Sequence, residues 1–317
     1  MTETLKTTPH SGKTKPIVFF GTEEFSATAL TSLIEAGFLI SAVITKPDTK
    51  RGRGQRLIEP TVKTIAKRHN IDVWQPINLN EVIEPIRRLQ PATGVLVSFG
   101  RIIPEDILSL FTPGIVNVHP SLLPKYRGPS PIETALLSGD ETTGVTIMKL
   151  VSAMDAGGIY TQKVYPETIL QASQTELYES LSMFGSKILV DTLPSIMSGT
   201  LLPVDQDHSQ ATYCRLIKKS DGNIDWRKPA EQIERDIRAY KGWPGSRTTL
   251  QGVECIVTDA SILNQTAEEE PGTITTTDTT LTVATSDKLL AINRIKPVGK
   301  KEMSVREFLN GYGHLLS

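Results

Sequence analysis

The sequence predicts an α/β fold: a doubly wound (Rossmann-like), mostly parallel sheet domain followed by a small β-barrel domain. Three observations predict it. Short, continuously apolar runs alternate with helical patterns over the first two-thirds of the chain, the pattern of strands covered on both faces by crossover helices. Beyond Tyr240 the pattern changes to short β-rich runs bounded by turn residues. The 317 residues exceed the roughly 100–200 that one domain usually holds, so two cores are expected.

Residues 17–20 are apolar and β-prone, Gly21 and Thr22 supply a tight turn, and a helical pattern carrying Phe25, Leu30, Leu33 and Ile34 ends at Gly37. Thr22 can cap that helix, and Glu23 and Glu24 suit the positive end of its dipole. Residues 39–45 complete a βαβ unit. Further strands are expected at 72–74, 94–99, 115–118, 145–150 and 159–164, with helices near 62–67 and 81–89. Ligands bind such sheets at the carboxyl ends of strands, which singles out the residues just after Phe99 and Val118. A helix over roughly 175–197 closes the domain, and Pro194 is expected to kink it or end it early.

The polar stretch 203–211 reads as a linker. A helix over 229–240, with proline in its first turn, opens the second domain. Short strands at 247–250, 254–258, 272–276, 281–285 and 289–295 suggest a small, OB-like barrel. A last helix starts at Ser304, with Glu307 completing a capping box. The expected organisation is a flexible start (1–15), a catalytic domain (16–202), a linker (203–211) and a C-terminal domain (212–317).

Composition narrows the function. Hydrophobic residues at 38% and charged residues at 22% exclude wholesale disorder. The start lacks the apolar stretch of a secretory signal, and no run approaches the ~18 apolar residues of a spanning helix, so a cytoplasmic protein without a membrane partner is expected. Cys214 and Cys255 have no Cys or His neighbour at ligand spacing, which supports neither structural zinc nor a disulfide. A net charge of −1 argues against indiscriminate coating of nucleic acid but permits a local basic patch. Gly12, Lys13 and Thr14 imitate the end of a phosphate loop, yet Thr7 stands where its first glycine belongs. Gly21 lacks the companion glycines of a dinucleotide fingerprint, and there is no serine-nucleophile elbow.

The stretch Gly114-Ile-Val-Asn117-Val-His119-Pro-Ser121-Leu-Leu-Pro124-Lys-Tyr-Arg-Gly128 ends an apolar strand with polar residues at alternate positions. A period of two puts Asn117 and His119 on one face. Asp155 follows the neighbouring strand, before Gly157 and Gly158, which let the backbone turn sharply or approach a ligand. Singly, His119 could be a hydrogen-bonded structural residue, Asn117 an end-of-strand turn former and Asp155 a loop cap. Together, an amide, an imidazole and a carboxylate at two neighbouring strand ends match the needs of acyl transfer to an amine: a carbonyl polariser, a proton carrier and a group that fixes the carrier's charge.

The run N-V-H-P-S-L-L-P-K-Y-R-G over 117–128 resembles the signature of the formyltransferases that use 10-formyltetrahydrofolate, and Asp155-Ala-Gly-Gly158 is similar to that family's second motif. The resemblance covers the first domain, from Phe20-Gly-Thr22 through Ser98-Phe-Gly-Arg-Ile-Ile-Pro104 to Asp155. Within the family the chain most resembles the branch that acts on charged initiator tRNA. It has Lys46-Pro-Asp48 followed by Arg51-Gly-Arg-Gly-Gln-Arg56, then Arg127-Gly-Pro-Ser-Pro-Ile132. Its second domain carries Thr212-Tyr213, Ile224-Asp-Trp226, Trp243-Pro244 and Pro297-Val-Gly-Lys-Lys301. It departs from that branch at Pro129 and Ser130, where two alanines are usual, and around position 50, where lysine shares the arginine role.

The resemblance implies a formyl transfer from 10-formyltetrahydrofolate to the α-amino group of methionyl-initiator tRNA, with no metal. Asn117, His119 and Asp155 would be catalytic. Ser121, Leu122, Leu123 and Pro124, with the backbone around Phe99, Gly100, Arg101, Ile102 and Ile103, would hold the folate. Arg51, Arg53 and Arg56, in a mobile glycine-rich loop of about ten residues, are candidates for tRNA contact, as are Arg294, Lys296, Lys300 and Lys301 around a turn. Solvated charge is the alternative for both groups. A monomer is expected. Two rivals stand beside this reading: a formyltransferase acting on glycinamide ribonucleotide or an amino sugar nucleotide, and a non-catalytic RNA-binding relic.

Overall fold

The computed structural model describes residues 15–51 and 56–315. Apart from Lys15, the segment expected to be flexible, 1–15, lies outside the described residues, as does Arg53; Arg51 and Arg56 are described in backbone only. The chain divides into two compact units that interleave in sequence. One holds Met1–Pro129, Thr143–Pro166 and Tyr178–Tyr213, the other Ser130–Thr142, Glu167–Leu177 and Cys214–Ser317.

The first unit opens with the expected βαβ: β1 (Ile17–Gly21), α1 (Glu24–Glu35) and β2 (Ile40–Ile44). The strand pair β3 (Thr49–Arg51) and β4 (Arg56–Ile58) follows, then α2 (Thr61–Arg68), β5 (Asp72–Trp74), α3 (Ile83–Arg88) and β6 (Thr93–Val97). After α4 (Glu105–Leu108) and β7 (Ile115–His119) comes α5 (Pro131–Ser138), which belongs to the second unit; β8 (Gly144–Lys149) and β9 (Ile159–Val164) return to the first, as does α6 (Gln174–Met197) from Tyr178 onward.

Seven of these strands form one sheet in the order β5-β2-β1-β6-β7-β8-β9. From β5 to β7 all pairs are parallel, whereas β8 is antiparallel to both β7 and β9. The five residues of β1 are all buried, as the apolar run requires of a strand covered on both faces. Phe20 meets Phe99 and Phe111 edge to face at 5.6 and 5.8 Å, so the loop after β6 is anchored to the core by an aromatic cluster. Strand order reverses between β1 and β6, which places the ligand crevice of a doubly wound sheet at the carboxyl ends of those strands.

Pro194 does not end α6 early, contrary to one of the two expectations: the helix runs on to Met197. The proline sits in the last turn, where its missing N–H removes a single bond, and its own carbonyl still accepts from the Ser198 N–H at 3.0 Å.

In the second unit α7 (Ala230–Ala239) precedes β10 (Ser246–Leu250), β11 (Val253–Thr266), β12 (Ile274–Thr276), β13 (Leu281–Ala284), β14 (Lys288–Pro297), β15 (Met303–Ser304) and α8 (Val305–Tyr312). The antiparallel order is β10-β11-β14-β13-β12, with β15 beside β14. The barrel-like domain predicted from the sequence is thus a curled half-barrel. Register shifts between β11 and β14 at Val257/Asp259 and Asp259/Ala260 supply the bend. Val257, Ile292, Ile295 and Phe308 form one buried cluster with Ile233 and Ile237 of α7. The predicted capping box is present: Ser304 Oγ accepts from the Glu307 N–H, and Glu307 Oε2 accepts from the Ser304 N–H at 2.7 Å. Among the described residues no helix is long and apolar enough to cross a membrane.

Candidate active site

Alternation along β7 sets up the site. Asn117 and His119 project to one face of the sheet, only 6% and 4% exposed. The imidazole Nε2 lies 2.9 Å from the Tyr126 carbonyl oxygen. A carbonyl can only accept, so in the neutral ring this contact puts the proton on Nε2 and the lone pair on Nδ1. Nδ1 in turn faces Asp155 Oδ2 at 3.8 Å, within ion-pair reach but beyond a hydrogen bond. The same carboxylate oxygen accepts from the Gly128 N–H at 2.8 Å.

Asp155 does not reach His119 from a neighbouring strand end, as the sequence suggested. Because β8 runs antiparallel to β7, its last residue, Lys149, lies opposite Val116, about 10 Å back along the strand from His119. The loop that follows folds back over the face carrying Asn117 and His119. Gly157 permits this turn: a Cβ there would stand 1.9 Å from the Lys149 carbonyl oxygen. The close approach is thus to the protein's own backbone.

Asp155 and Tyr126 both adopt left-handed backbone, with φ of 46° and 62°. Each such non-glycine residue costs on the order of 1 kcal/mol and persists only where its surroundings hold it. Tyr126 is held by its N–H to Thr212 Oγ1 at 2.9 Å. On either side, the Arg127 N–H donates to the Thr212 carbonyl and the Thr212 N–H to the Pro124 carbonyl. Asp155 is held by Gln206, whose Nε2 donates to the carbonyls of Asp155 and Gly157 at 2.8 and 2.7 Å. Gln206 Oε1 accepts from Arg127 Nη2 and Nε at 2.7 and 3.1 Å, and the Arg127 guanidinium also meets His208 Nδ1 and the Tyr213 hydroxyl.

The stretch 203–211, expected to be a linker, therefore lies in the first unit against this site, tied also by the reciprocal bonds between Val204 and Ile159 at 2.7 and 2.9 Å. Gln206 and Thr212 escape sequence reasoning. Thr212 stands in a family motif but carries no role there, and Gln206 has no local signal at all.

The residues expected to hold folate occupy two loops on adjacent strands. After β6, Phe99 and Ile103 are buried, Gly100 is left-handed (φ 68°), and Ile102 is 82% exposed. The Arg101 guanidinium is turned to the carbonyls of Pro76 and Ile77 at 2.8 Å each, so it braces the loop. After β7, Ser121 Oγ donates to the Lys125 carbonyl at 2.6 Å, Thr146 Oγ1 to the Ser121 carbonyl at 2.7 Å, and Gln162 Nε2 to the Leu123 carbonyl at 2.8 Å. Leu122 lies against Gly144, and Pro124 is tied to Thr212. A Cβ at Gly100 would stand 2.7 Å from Lys46 Nζ, and Leu96 of β6 pairs with Asn117 of β7, so the two loops leave neighbouring strands.

Of the residues expected at tRNA, Arg294, Lys296, Lys300 and Lys301 are exposed, and Arg294 is paired with Glu302 at 2.5 Å. Arg51 and Arg56 pair with each other in the backbone of β3 and β4, so these two belong to a β-ribbon where a plain loop was expected; Arg53 lies outside the described residues. At the base of that ribbon, hydrogen bonds from Lys63 and Gln75 hold the Asp48 carboxyl below the usual carboxylate range.

A histidine and a carboxylate thus meet on the sheet face that also carries a buried asparagine, at the carboxyl edge of a doubly wound sheet. The chain belongs to the formyl transferase family: residues 15–193 match the formyl transferase model and residues 216–313 that of the formyl transferase C-terminal domain. It is 40% identical over 302 residues to the methionyl-tRNA formyltransferase of Enterococcus faecalis, covering 94% of this chain and 96% of that protein. It is 39% identical to the methionyl-tRNA formyltransferase of Bacillus velezensis, covering 93% and 94%. Among solved structures, the fold matches Aquifex aeolicus HypX in complex with tetrahydrofolic acid (TM-score 0.65, 16% identity, 95% of this chain and 47% of that one). It also matches WlaRD, a sugar 3N-formyl transferase (TM-score 0.63, 18% identity, 91% and 99%).

Proposed function

We propose that this enzyme transfers the formyl group of 10-formyltetrahydrofolate to the α-amino group of methionyl-initiator tRNA, giving N-formylmethionyl-tRNA. The reading is carried by one observation: the imidazole–carboxylate pair of His119 and Asp155, beside buried Asn117, stands in a chain that follows methionyl-tRNA formyltransferases over nearly its whole length.

As the methionine nitrogen bonds to the formyl carbon, the formyl oxygen gains negative charge, and the Asn117 amide donates a hydrogen bond to it. The amine must shed a proton and the departing folate nitrogen must gain one. His119 carries that proton on Nδ1, the nitrogen left basic by the Nε2 contact with Tyr126. Asp155 stabilises the resulting imidazolium from 3.8 Å. The loops at 99–103 and 121–124 bind the folate, and the basic residues at 51–56, together with Lys296, Lys300 and Lys301, engage tRNA phosphates. All these groups lie on one chain, so a monomer suffices, and the cytoplasm is where charged initiator tRNA is met.

The deciding experiment offers the protein 10-formyltetrahydrofolate with methionylated initiator tRNA, glycinamide ribonucleotide, an amino sugar nucleotide and free methionine in parallel. Formylation of the tRNA alone is expected. Turnover of a small amine in its place would overturn the proposal.

A further inference from the structure

Gln206 is 7% exposed, and its amide joins the two segments that frame the His119–Asp155 pair through four hydrogen bonds. Its orientation is forced by chemistry. Arg127 can only donate, so it must face Oε1, and the carbonyls of Asp155 and Gly157 can only accept, so they must face Nε2. The first of those carbonyls belongs to the residue whose backbone sits at φ 46° and whose carboxylate stands before His119. A turn of that kind needs an external hold, and a single amide supplies it from both sides of Ala156.

Resting on the catalytic reading above, we propose that Gln206 is a positioning residue. Its amide locks the left-handed turn at Asp155 and so keeps Oδ2 facing His119 Nδ1, while Arg127 keeps the amide in place. Gln206 itself touches no reacting atom. Loss of its two N–H donors frees the 154–158 turn, and the carboxylate leaves both the imidazole and the Gly128 N–H.

The test uses Gln206→Glu and Gln206→Met in the full chain. Glutamate keeps the shape and still accepts from Arg127 but, when ionised, has no N–H for the two carbonyls; methionine keeps only the bulk. Expected for both is a fall in kcat of about tenfold or more with both KM values within about twofold of the parent, because misplacement of a catalytic group acts on the chemical step. A residue that merely anchors Arg127 would leave Gln206→Glu near parental kcat, and that result overturns the proposal.

An activity-free readout runs in parallel. The Gly128 amide, bonded to Asp155 Oδ2 at 2.8 Å, exchanges with solvent deuterium faster in both variants if the carboxylate has moved. Unchanged Gly128 protection overturns the proposal even if the parent formylates no tRNA, which separates this failure from failure of the proposed substrate. Should Gln206→Glu not fold, parental kcat or unchanged Gly128 protection in Gln206→Met still overturns the proposal.

Discussion

His119 Nε2 is bound to the main-chain carbonyl of Tyr126 at 2.9 Å, and this contact sets the tautomer of the neutral ring. The proton sits on Nε2, and the lone pair of Nδ1 faces Asp155.

His119→Ala and Asp155→Ala are therefore expected to lower the single-turnover rate by about 10²–10⁴-fold while changing tRNA affinity little, as loss of a proton carrier does. Asp155→Asn keeps an acceptor for the Gly128 N–H and removes only the charge, so its loss should be smaller than that of Asp155→Ala. Rapid-quench formylation assays measure both; a near-parental rate for either alanine variant would displace the assigned roles.

Gly157→Ala introduces a carbon that cannot coexist with the Lys149 carbonyl 1.9 Å away. The loop must shift, and overpacking of this kind costs about 1–3 kcal/mol. A lower urea midpoint and reduced kcat are expected together. A variant as active and stable as the parent would show that the turn relaxes without moving Asp155.

Replacing Lys296, Lys300 and Lys301 by Gln should weaken tRNA binding and flatten its salt dependence, by a slope of about one for each phosphate no longer neutralised, with the folate KM unchanged. Arg294→Gln should do less, because its guanidinium is already paired with Glu302. Filter binding across a salt series checks both, and an unaltered slope would return these lysines to solvent.

Burial pushes the Cys255 thiol up to about 11, which leaves about one thiolate in a thousand at pH 8. Native protein should label at Cys255 with a thiol reagent far more slowly than unfolded protein, as mapped by peptide mass. Fast native labelling would mean that the second unit opens readily around β11.

Asp221 is held at about 2, chiefly by its hydrogen bond from Arg215 and then by the Lys218 N–H. A folded value below the ordinary 3.8 adds stability above that pH, which is lost as pH falls through about 2. Asp221→Asn should thus lower stability at neutral pH, and the gap from the parent should close under acid. The effect should stay within about 1 kcal/mol because Arg215 is 64% exposed and solvent screens the pair. Chemical melts at several pH values test this.

Strands whose apolar runs are continuous, such as 17–20, are legible in the sequence because burial on both faces leaves one reading. The capping box at Ser304 is legible for a similar reason, being written within four residues. The direction of β8 is not: an antiparallel partner carries the same apolar pattern as a parallel one, so the sequence puts the carboxyl end of β8 at the wrong edge of the sheet even though it pairs the Asp155 carboxylate with His119. The region before Thr212 is harder still. There Leu202 and Val204 are 72% and 71% exposed whereas Gln206 is buried, an inversion of hydropathy that no periodicity can decode. What buries Gln206 is a set of donors and acceptors about fifty to eighty residues upstream.

Thr212 and Gln206 fasten turns that were laid down long before them in the chain. A ribosome finishing α6 has already made the histidine, the asparagine and the aspartate, yet none of the fasteners. On this arrangement a nascent polypeptide stays catalytically silent until the stretch through Tyr213 has cleared the exit tunnel, and a fragment cut just after Met197 would carry every reactive group without the means to aim them.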